Sequence, residues 1–389
     1  MFSLPISTSN AYINLPICPI TLPYQSNMGS LASEPRPASL SSPQFDCSRY
    51  RVLAGFCPKE AGDNANVFNC IQCYNPSDNT WNHVSFIPDL ENHVLKGFAM
   101  VSLGESVYII GGRLWNRGNH RNSSESDEFL HVDFQVSSLV LRYNVRSDQW
   151  SKCAPLGTPR YDFACCVCDD KIYVAGGKSG LHSPRGMSSA EVYDPAHGQW
   201  TPLPCMSTLR YKCVGVTWQG KIYVVGGFAE ETGSDPNMLT FSPQRCSAEV
   251  FDARTQKWDL EVGMWQLDVP PNQIVAVDGK LFSSGDCLIP WKGHIEVYEG
   301  KLNLWDEVDG SRFNPPISTT ERLYLTMAPI GTQLYFFAGY KKAEEPLKTL
   351  SMVYIFDTSA TIDAWKSLEP REEDGEKELC SHCCVVPFW

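Results

Sequence analysis

The sequence predicts an all-β repeat protein, a radial array of small four-stranded sheets. Three observations predict it. An apolar strand ending in Gly recurs six times, at Gly55, Gly112, Gly177, Gly227, Gly285 and Gly339. An aromatic residue follows each of them: Tyr74, Tyr143, Tyr193, Phe251, Tyr298 and Phe356. A Trp then closes each copy, at Trp81, Trp150, Trp200, Trp258, Trp305 and Trp365. The step from aromatic to Trp is seven residues in the first five copies and nine in the sixth. A step held that well marks stacked units, each burying its faces only against its neighbours.

Each unit reads as strand, turn, strand, loop, strand, turn, strand. Unit 3 shows the order best. Its first strand is Phe163 to Cys168, and the Asp169-Asp170 turn leads into Lys171 to Ala175. Gly176-Gly177 ends that strand, and Ala190 to Tyr193 forms the third. Asp194-Pro195 and His197-Gly198 make the next turn, and Trp200 opens the fourth strand. Unit 4 repeats the order with Ile222 to Val225, Gly226-Gly227, Ala248 to Phe251 and Trp258. The second strands are near-continuous apolar runs, as expected of sheets covered on both faces. The aromatic residues are wedges that fill the space between sheets.

The unit of about 50 residues, with Gly-Gly, then Tyr, then Trp, resembles the kelch repeat of β-propellers. The resemblance covers residues 50–389 and implies a six-bladed kelch-type β-propeller with four-stranded blades. Units 1, 5 and 6 depart from Gly-Gly, with Ala54-Gly55, Ser284-Gly285 and Ala338-Gly339. Unit 1 begins at its second strand, Arg51 to Ala54, and lacks a first strand of its own. Cys383 to Trp389 reads as a strand with nothing after it to pair with, and it is similar to Ala164 to Val167. The C-terminal strand is therefore expected to complete blade 1 from the inside and close the ring, leaving no open edge.

Residues 1–49 are rich in Ser, Pro and Asn, show no period, and read as a flexible arm. Met28 to Ser33 fits a myristoylation pattern only if translation starts at Met28. The first 33 residues carry no Lys, Arg, Asp or Glu, which fits neither a secretory signal nor a transit peptide. The default compartment is then the cytosol or nucleus. No apolar run is long enough to span a membrane. The net charge of −12 argues against a sequence-independent nucleic-acid binder. The 16 cysteines read as small buried apolar residues in a reducing compartment.

One register carries charge. Seventeen residues before the strand-ending glycines stand Arg160, Arg210 and Arg322, with Tyr161 and Tyr211 after the first two. In kelch propellers these positions share one rim with the loops after Gly-Gly. Two readings of the arginines stand. They recognise carboxylate or phosphate on a partner protein or peptide, or they satisfy local backbone carbonyls. The long loop between Gly112 and Tyr143 holds Arg117 to Arg121, then Ser123 to Glu128, with Ser124 as a phosphorylation candidate. The charged stretch Glu369 to Glu378 reads as a solvated loop.

Little points to catalysis. Cys70-x-x-Cys73 and Cys380-x-x-Cys383 have the spacing of zinc half-sites. Residues three apart on a strand face opposite ways, so no metal site is expected. The eight histidines do not cluster at ligand spacing, and no phosphate loop or nucleophile elbow occurs. No cofactor is expected. Some kelch-type propellers, galactose oxidase and the plant specifier proteins, are enzymes or metal-dependent factors, so that alternative stays open. No Glu-x-x-x-Asp-x-x-x-His occurs here. The resemblance is stronger to the propeller part of plant F-box/kelch-repeat proteins, substrate receptors of ubiquitin ligases. It implies a non-catalytic protein-interaction module, with ubiquitin-ligase components among its partners. No F-box is evident in residues 1–49.

Overall fold

Valine, isoleucine and tyrosine crowd the second strands of units 2 to 4, and Asp, Asn and Gly the turns, so the chain folds as hairpins. The computed structural model describes residues 46–59, 68–90, 93–116, 134–180, 185–231, 243–288, 294–310, 319–345 and 348–388. The arm up to residue 45, Met28, and the segment Arg117 to Glu128 with Ser124 lie outside them. The described chain is all-β, with two short 3₁₀ turns.

Unit 3 has the strands Ala164–Cys168, Lys171–Ala175, Ala190–Asp194 and Gln199–Leu203, antiparallel in chain order. Unit 4 repeats this with Val214–Trp218, Lys221–Val225, Ser247–Asp252 and Lys257–Val262. Unit 5 uses Ile274–Val277, Lys280–Ser283, Glu296–Glu299 and Leu304–Glu307. Unit 2 runs from Ala99–Leu103 through Ser106–Ile110 and Val140–Asn144 to Gln149–Lys152. Unit 6 has longer strands, Thr319–Ile330, Gln333–Lys342 and Lys348–Asp357, with Trp365–Ser367 and Arg371–Asp374 both paired to the third.

Unit 1 draws on both ends of the described chain. Its sheet runs Thr80–Phe86, Cys70–Asn75, Tyr50–Lys59 and then Glu376–Pro387. The last pairing is antiparallel, from Tyr50↔Pro387 to Lys59↔Glu376. The expected exchange of a C-terminal strand into unit 1 is therefore present, on a longer strand than the sequence suggests. The stretch Glu369 to Glu378 is not the solvated loop expected of its charges. Arg371–Asp374 joins the sheet of unit 6, Lys342 and Lys348 pair with Glu372, and Lys377 is 7% exposed.

The repeat spacing has a direct structural meaning. In every unit the aromatic residue and the Trp stand opposite each other across the outer hairpin, as in Tyr193↔Trp200 and Phe251↔Trp258. A seven-residue step with a four-residue turn sets that register. Phe356↔Trp365 keeps it with a longer connection. The rings lie 4.7–5.4 Å apart in all six pairs. In four units the indole Nε1 donates to a backbone carbonyl of the preceding unit: Trp200 to Ala154, Trp258 to Pro204, Trp305 to Met264 and Trp365 to Asp309. Trp150 donates to the Ser85 hydroxyl of unit 1.

The core is divided into layers between neighbouring sheets. Leu53, Ile71, Ile109 and Leu141 pack between units 1 and 2, and Ile110, Val140, Ile172 and Val174 between units 2 and 3. Phe336, Leu334 and Phe282 fill the layer between units 5 and 6, and Phe56, Tyr74, Phe337 and Tyr335 that between units 6 and 1. Glycine is required where layers touch closely. At Gly177, with φ of +89°, a Cβ would stand 2.7 Å from Phe163 Cβ and from the Tyr161 carbonyl oxygen.

Candidate functional site

Arg160 and Arg210 close the inner hairpins of units 3 and 4. Both are 0% exposed. Arg160 Nη1 donates to the carbonyls of Gly176 and Ser189, at 2.8 and 3.0 Å, and Nη2 to Glu191 Oε1 at 2.7 Å. Arg210 bonds the matching carbonyls one unit on, Gly226 and Ser247, and Ser247 Oγ as Arg160 bonds Ser189 Oγ; it bonds Thr208 Oγ1 where Arg160 bonds Glu191. Each arginine's own carbonyl accepts the N–H of the second glycine of the preceding unit, Gly112 and Gly177, at 2.8 Å. Burial holds both guanidinium groups below their ordinary pKa, and Glu191 opposes that for Arg160.

These two side chains therefore do not form an exposed arginine rim. Their donors satisfy the carbonyls that Gly-Gly leaves bare as the strand ends. Tyr161 is 4% exposed and Tyr211 is half-buried. Arg322, also half-buried, hydrogen-bonds to Tyr340 beside it.

What stands at this mouth is a band of other cations on aromatic rings. Arg113 Cζ lies 5.0 Å from the ring centres of Trp115 and Tyr161 and 5.8 Å from Phe134. Lys178 Nζ sits 3.8 Å over the Tyr211 ring. Tyr211 lies 5.1 Å from Phe228, whose ring carries the Arg245 guanidinium at 5.4 Å. The band thus runs Trp115, Phe134, Tyr161, Tyr211, Phe228 across units 2 to 4, with three cations laid along it. Cations over ring faces keep their charge while losing part of their water. Arg113 Nε, Trp115 Nε1 and Arg245 Nε are buried donors with no hydrogen-bond partner among the described residues.

Two short ribbons build this band: His93–Lys96 with Arg113–Asn116 and Phe134–Val136, and Thr208–Tyr211 with Phe228–Glu231. A sequence signal for it existed. Arg113, Lys178 and Phe228 each follow directly on Gly-Gly.

A cavity of about 950 Å³ is lined by strands of all six units, through residues such as Ser102, Cys166, Thr217, Val275, Leu325 and His382. Its lip is a belt of residues in the left-handed conformation, Gly97, Asp162 and Lys212. Asp162 N donates to the Gly97 carbonyl at 2.9 Å, and Lys212 N to the Asp162 carbonyl at 2.7 Å. Burial raises the Asp162 carboxyl above its usual pKa, while Arg113, Lys212 and Lys178 pull it down. The lip is thus one acid among three bases. Burial pushes the His382 imidazole in the cavity wall down to about 4.

The paired cysteines split between faces as strand geometry requires. Cys70 packs toward unit 6 and Cys73 toward unit 2; Cys383 packs toward unit 6 and Cys380 toward unit 2. Among the described residues no group of three or more His, Cys, Asp or Glu is placed to hold a metal ion. No helix among them is long and apolar enough to cross a membrane.

The kelch motif model matches residues 159–207 and 209–264, which are units 3 and 4 with their arginines. The F-box/kelch-repeat protein SKIP30 of Arabidopsis thaliana is 30% identical over 307 residues, 78% of this chain and 75% of the relative. The chain belongs to the kelch-repeat family. A second F-box/kelch-repeat protein of Arabidopsis thaliana is 31% identical over 198 residues, 49% of this chain. The chain spans only 45% of that relative's length. Kelch-like protein 36 of Mus musculus is 26% identical over 201 residues, 28% of its length. This kelch protein is thus similar to relatives from both a plant and a mammal.

Proposed function

We propose that this kelch protein is a non-catalytic interaction module that binds an acidic segment of a partner protein on the cation–aromatic band. The observation that carries this reading is the band itself. Arg113, Lys178 and Arg245 lie over aromatic rings, and Arg245 is also paired with Asp268. Stacked rings and preorganised cations are the residue types that dominate interface energies.

The scaffold for this reading is a six-bladed ring formed by residues 50–389, closed by the C-terminal strand, with residues 1–49 as an appended arm. It is supported by the pairing of Glu376–Pro387 with Tyr50–Lys59 and by apolar layers on both sides of unit 1. The relatives' F-box/kelch-repeat names support a further step, in which the module acts in the cytosol or nucleus as a substrate receptor linked to ubiquitination.

The test is direct binding. A peptide array of acidic, phosphorylated and neutral sequences is probed with the intact chain and with Arg113→Ala/Lys178→Ala. Binding confined to acidic or phosphorylated peptides, weakened by salt and lost in the variant, supports the reading. Selection of neutral peptides, or equal binding by a variant whose melting curve is unchanged, overturns it. Ligase subunits co-purifying with the bait decide the ubiquitin step.

A further inference from the structure

The seam strand of unit 1 carries a thiol pair. Cys57 lies on Tyr50–Lys59 and Cys380 on Glu376–Pro387. The ladder between them pairs Cys57↔Glu378, Phe56↔Leu379 and then Gly55↔Ser381, which leaves Cys380 as the extra residue of a β-bulge. Side chains alternate faces along a strand, and the bulge turns Cys380 onto the face that Cys57 uses. Gly55 brings no side chain into the space beside it. Cys57 is 4% exposed, and the Cys380 thiol hydrogen-bonds to it. The thiol on the other neighbouring strand, Cys70, pairs with Phe56 and so occupies the opposite face, toward unit 6. Of the three thiols only Cys57 and Cys380 can meet. Cys380 also lines the cavity, which gives a small oxidant access to it.

We propose that Cys57 and Cys380 form a reversible disulfide that locks the C-terminal strand onto unit 1. With hydrogen peroxide as the oxidant, the Cys380 sulfur attacks one peroxide oxygen. The O–O bond breaks, giving the sulfenic acid of Cys380 and one water. The Cys57 sulfur then attacks the sulfenic sulfur. The S–S bond forms, the S–O bond breaks, and the hydroxyl leaves with the Cys57 proton as a second water. Two thiols are oxidised and one peroxide is reduced to two waters. A dithiol reductant reverses the change by exchange. The hydrogen bond to Cys57 and burial keep the Cys380 thiol well above the usual range, with Lys96 pulling the other way. The pair is therefore a slow responder that closes under sustained oxidation. The cross-link joins residues far apart in the chain, where a constraint restricts the unfolded state most.

Peptide mapping of the full chain after hydrogen peroxide, with and without dithiothreitol, tests this. The expected result is a linked Cys57–Cys380 peptide, two hydrogens lighter than its parts, that dithiothreitol removes. The oxidised chain then shows a higher guanidinium midpoint and slower amide exchange over residues 376–387. Cys70→Ser keeps both effects, and Cys380→Ser loses both. The absence of the linked peptide, linkage of Cys57 to Cys70 instead, or a linked chain with an unchanged midpoint overturns the proposal. The wild-type mapping decides the linkage even where Cys380→Ser does not fold.

Discussion

The junction between units 3 and 4 and the junction between units 6 and 1 hold neighbouring sheets together by different means. Between units 3 and 4, donors cross in both directions: Trp258 Nε1 back to the Pro204 carbonyl, and Gly177 N forward to the Arg210 carbonyl. At the seam of units 6 and 1 the equivalent indole, Trp81, has no hydrogen-bond partner among the described residues. A buried lysine takes its place. Lys377 Nζ lies 4.4 Å from the Phe56 ring centre and 5.5 Å from those of Trp81 and Tyr324, bonded to Gln72 and Glu373. The regular junction is built from neutral donors repeated by the sequence period. The seam keeps an apolar layer of its own, with Phe56, Tyr74, Tyr335 and Phe337, and adds one buried charge to it.

Removing residues 380–388 attacks the seam outright. The strand Tyr50–Lys59 loses most of its partner ladder and unit 1 its innermost strand. We expect loss of cooperative unfolding for the whole chain, seen as a broad, low thermal transition by circular dichroism. A truncated chain that melts as sharply as the intact one would show that unit 1 does not need this strand.

Next in size is Arg160→Ala, which leaves Glu191 buried without its cation. Breaking a buried pair on one side costs about 3–5 kcal/mol. The guanidinium midpoint should fall accordingly, and Arg160→Ala/Glu191→Gln should recover part of the loss. A change near zero would mean that the guanidinium reaches solvent and is free to bind.

Lys377→Met keeps the length of the side chain but removes the charge from its aromatic box. A desolvated cation–π contact contributes about 2 kcal/mol. We expect a loss of that order by chemical denaturation, larger than that of any exposed lysine such as Lys257.

The finest contrast is between two tryptophans. Trp258→Phe removes an indole hydrogen bond worth about 0.5–1.5 kcal/mol, whereas Trp81→Phe removes an indole N–H that has no partner. Trp258→Phe should therefore destabilise more. Equal losses in the two melts would erase the distinction between the junctions.

Much of this organisation could be read from the sequence, because the repeat acts on backbone register. The seven-residue step places Tyr193 opposite Trp200 whatever the loops do, and the strand without a partner after it had one open place to pair. The site was less legible. Charge alone does not reveal that Arg160 and Arg210 point inward, because their acceptors are backbone carbonyls of Gly176, Ser189, Gly226 and Ser247, which carry no side-chain signature. The same holds for Glu369 to Glu378, where acidic composition suggests solvent but Lys342 and Lys348 supply counter-charges from distant positions and Lys377 one from within. The sixth aromatic-to-Trp step, two residues longer than the rest, still ends in the pairing Phe356↔Trp365, because a longer turn leaves the hairpin register intact.

The pairing of Tyr50–Lys59 with Glu376–Pro387 also sets a timetable for biosynthesis. The strand Tyr50–Lys59 must wait for a partner made more than 300 residues later. At 5–20 residues per second that interval is roughly 15–65 s. During it the apolar run Val52 to Phe56 is paired with Cys70–Asn75 on one side and has its other edge bare. Chaperone demand should accordingly fall late in translation, and stalled chains should be more aggregation-prone than released ones.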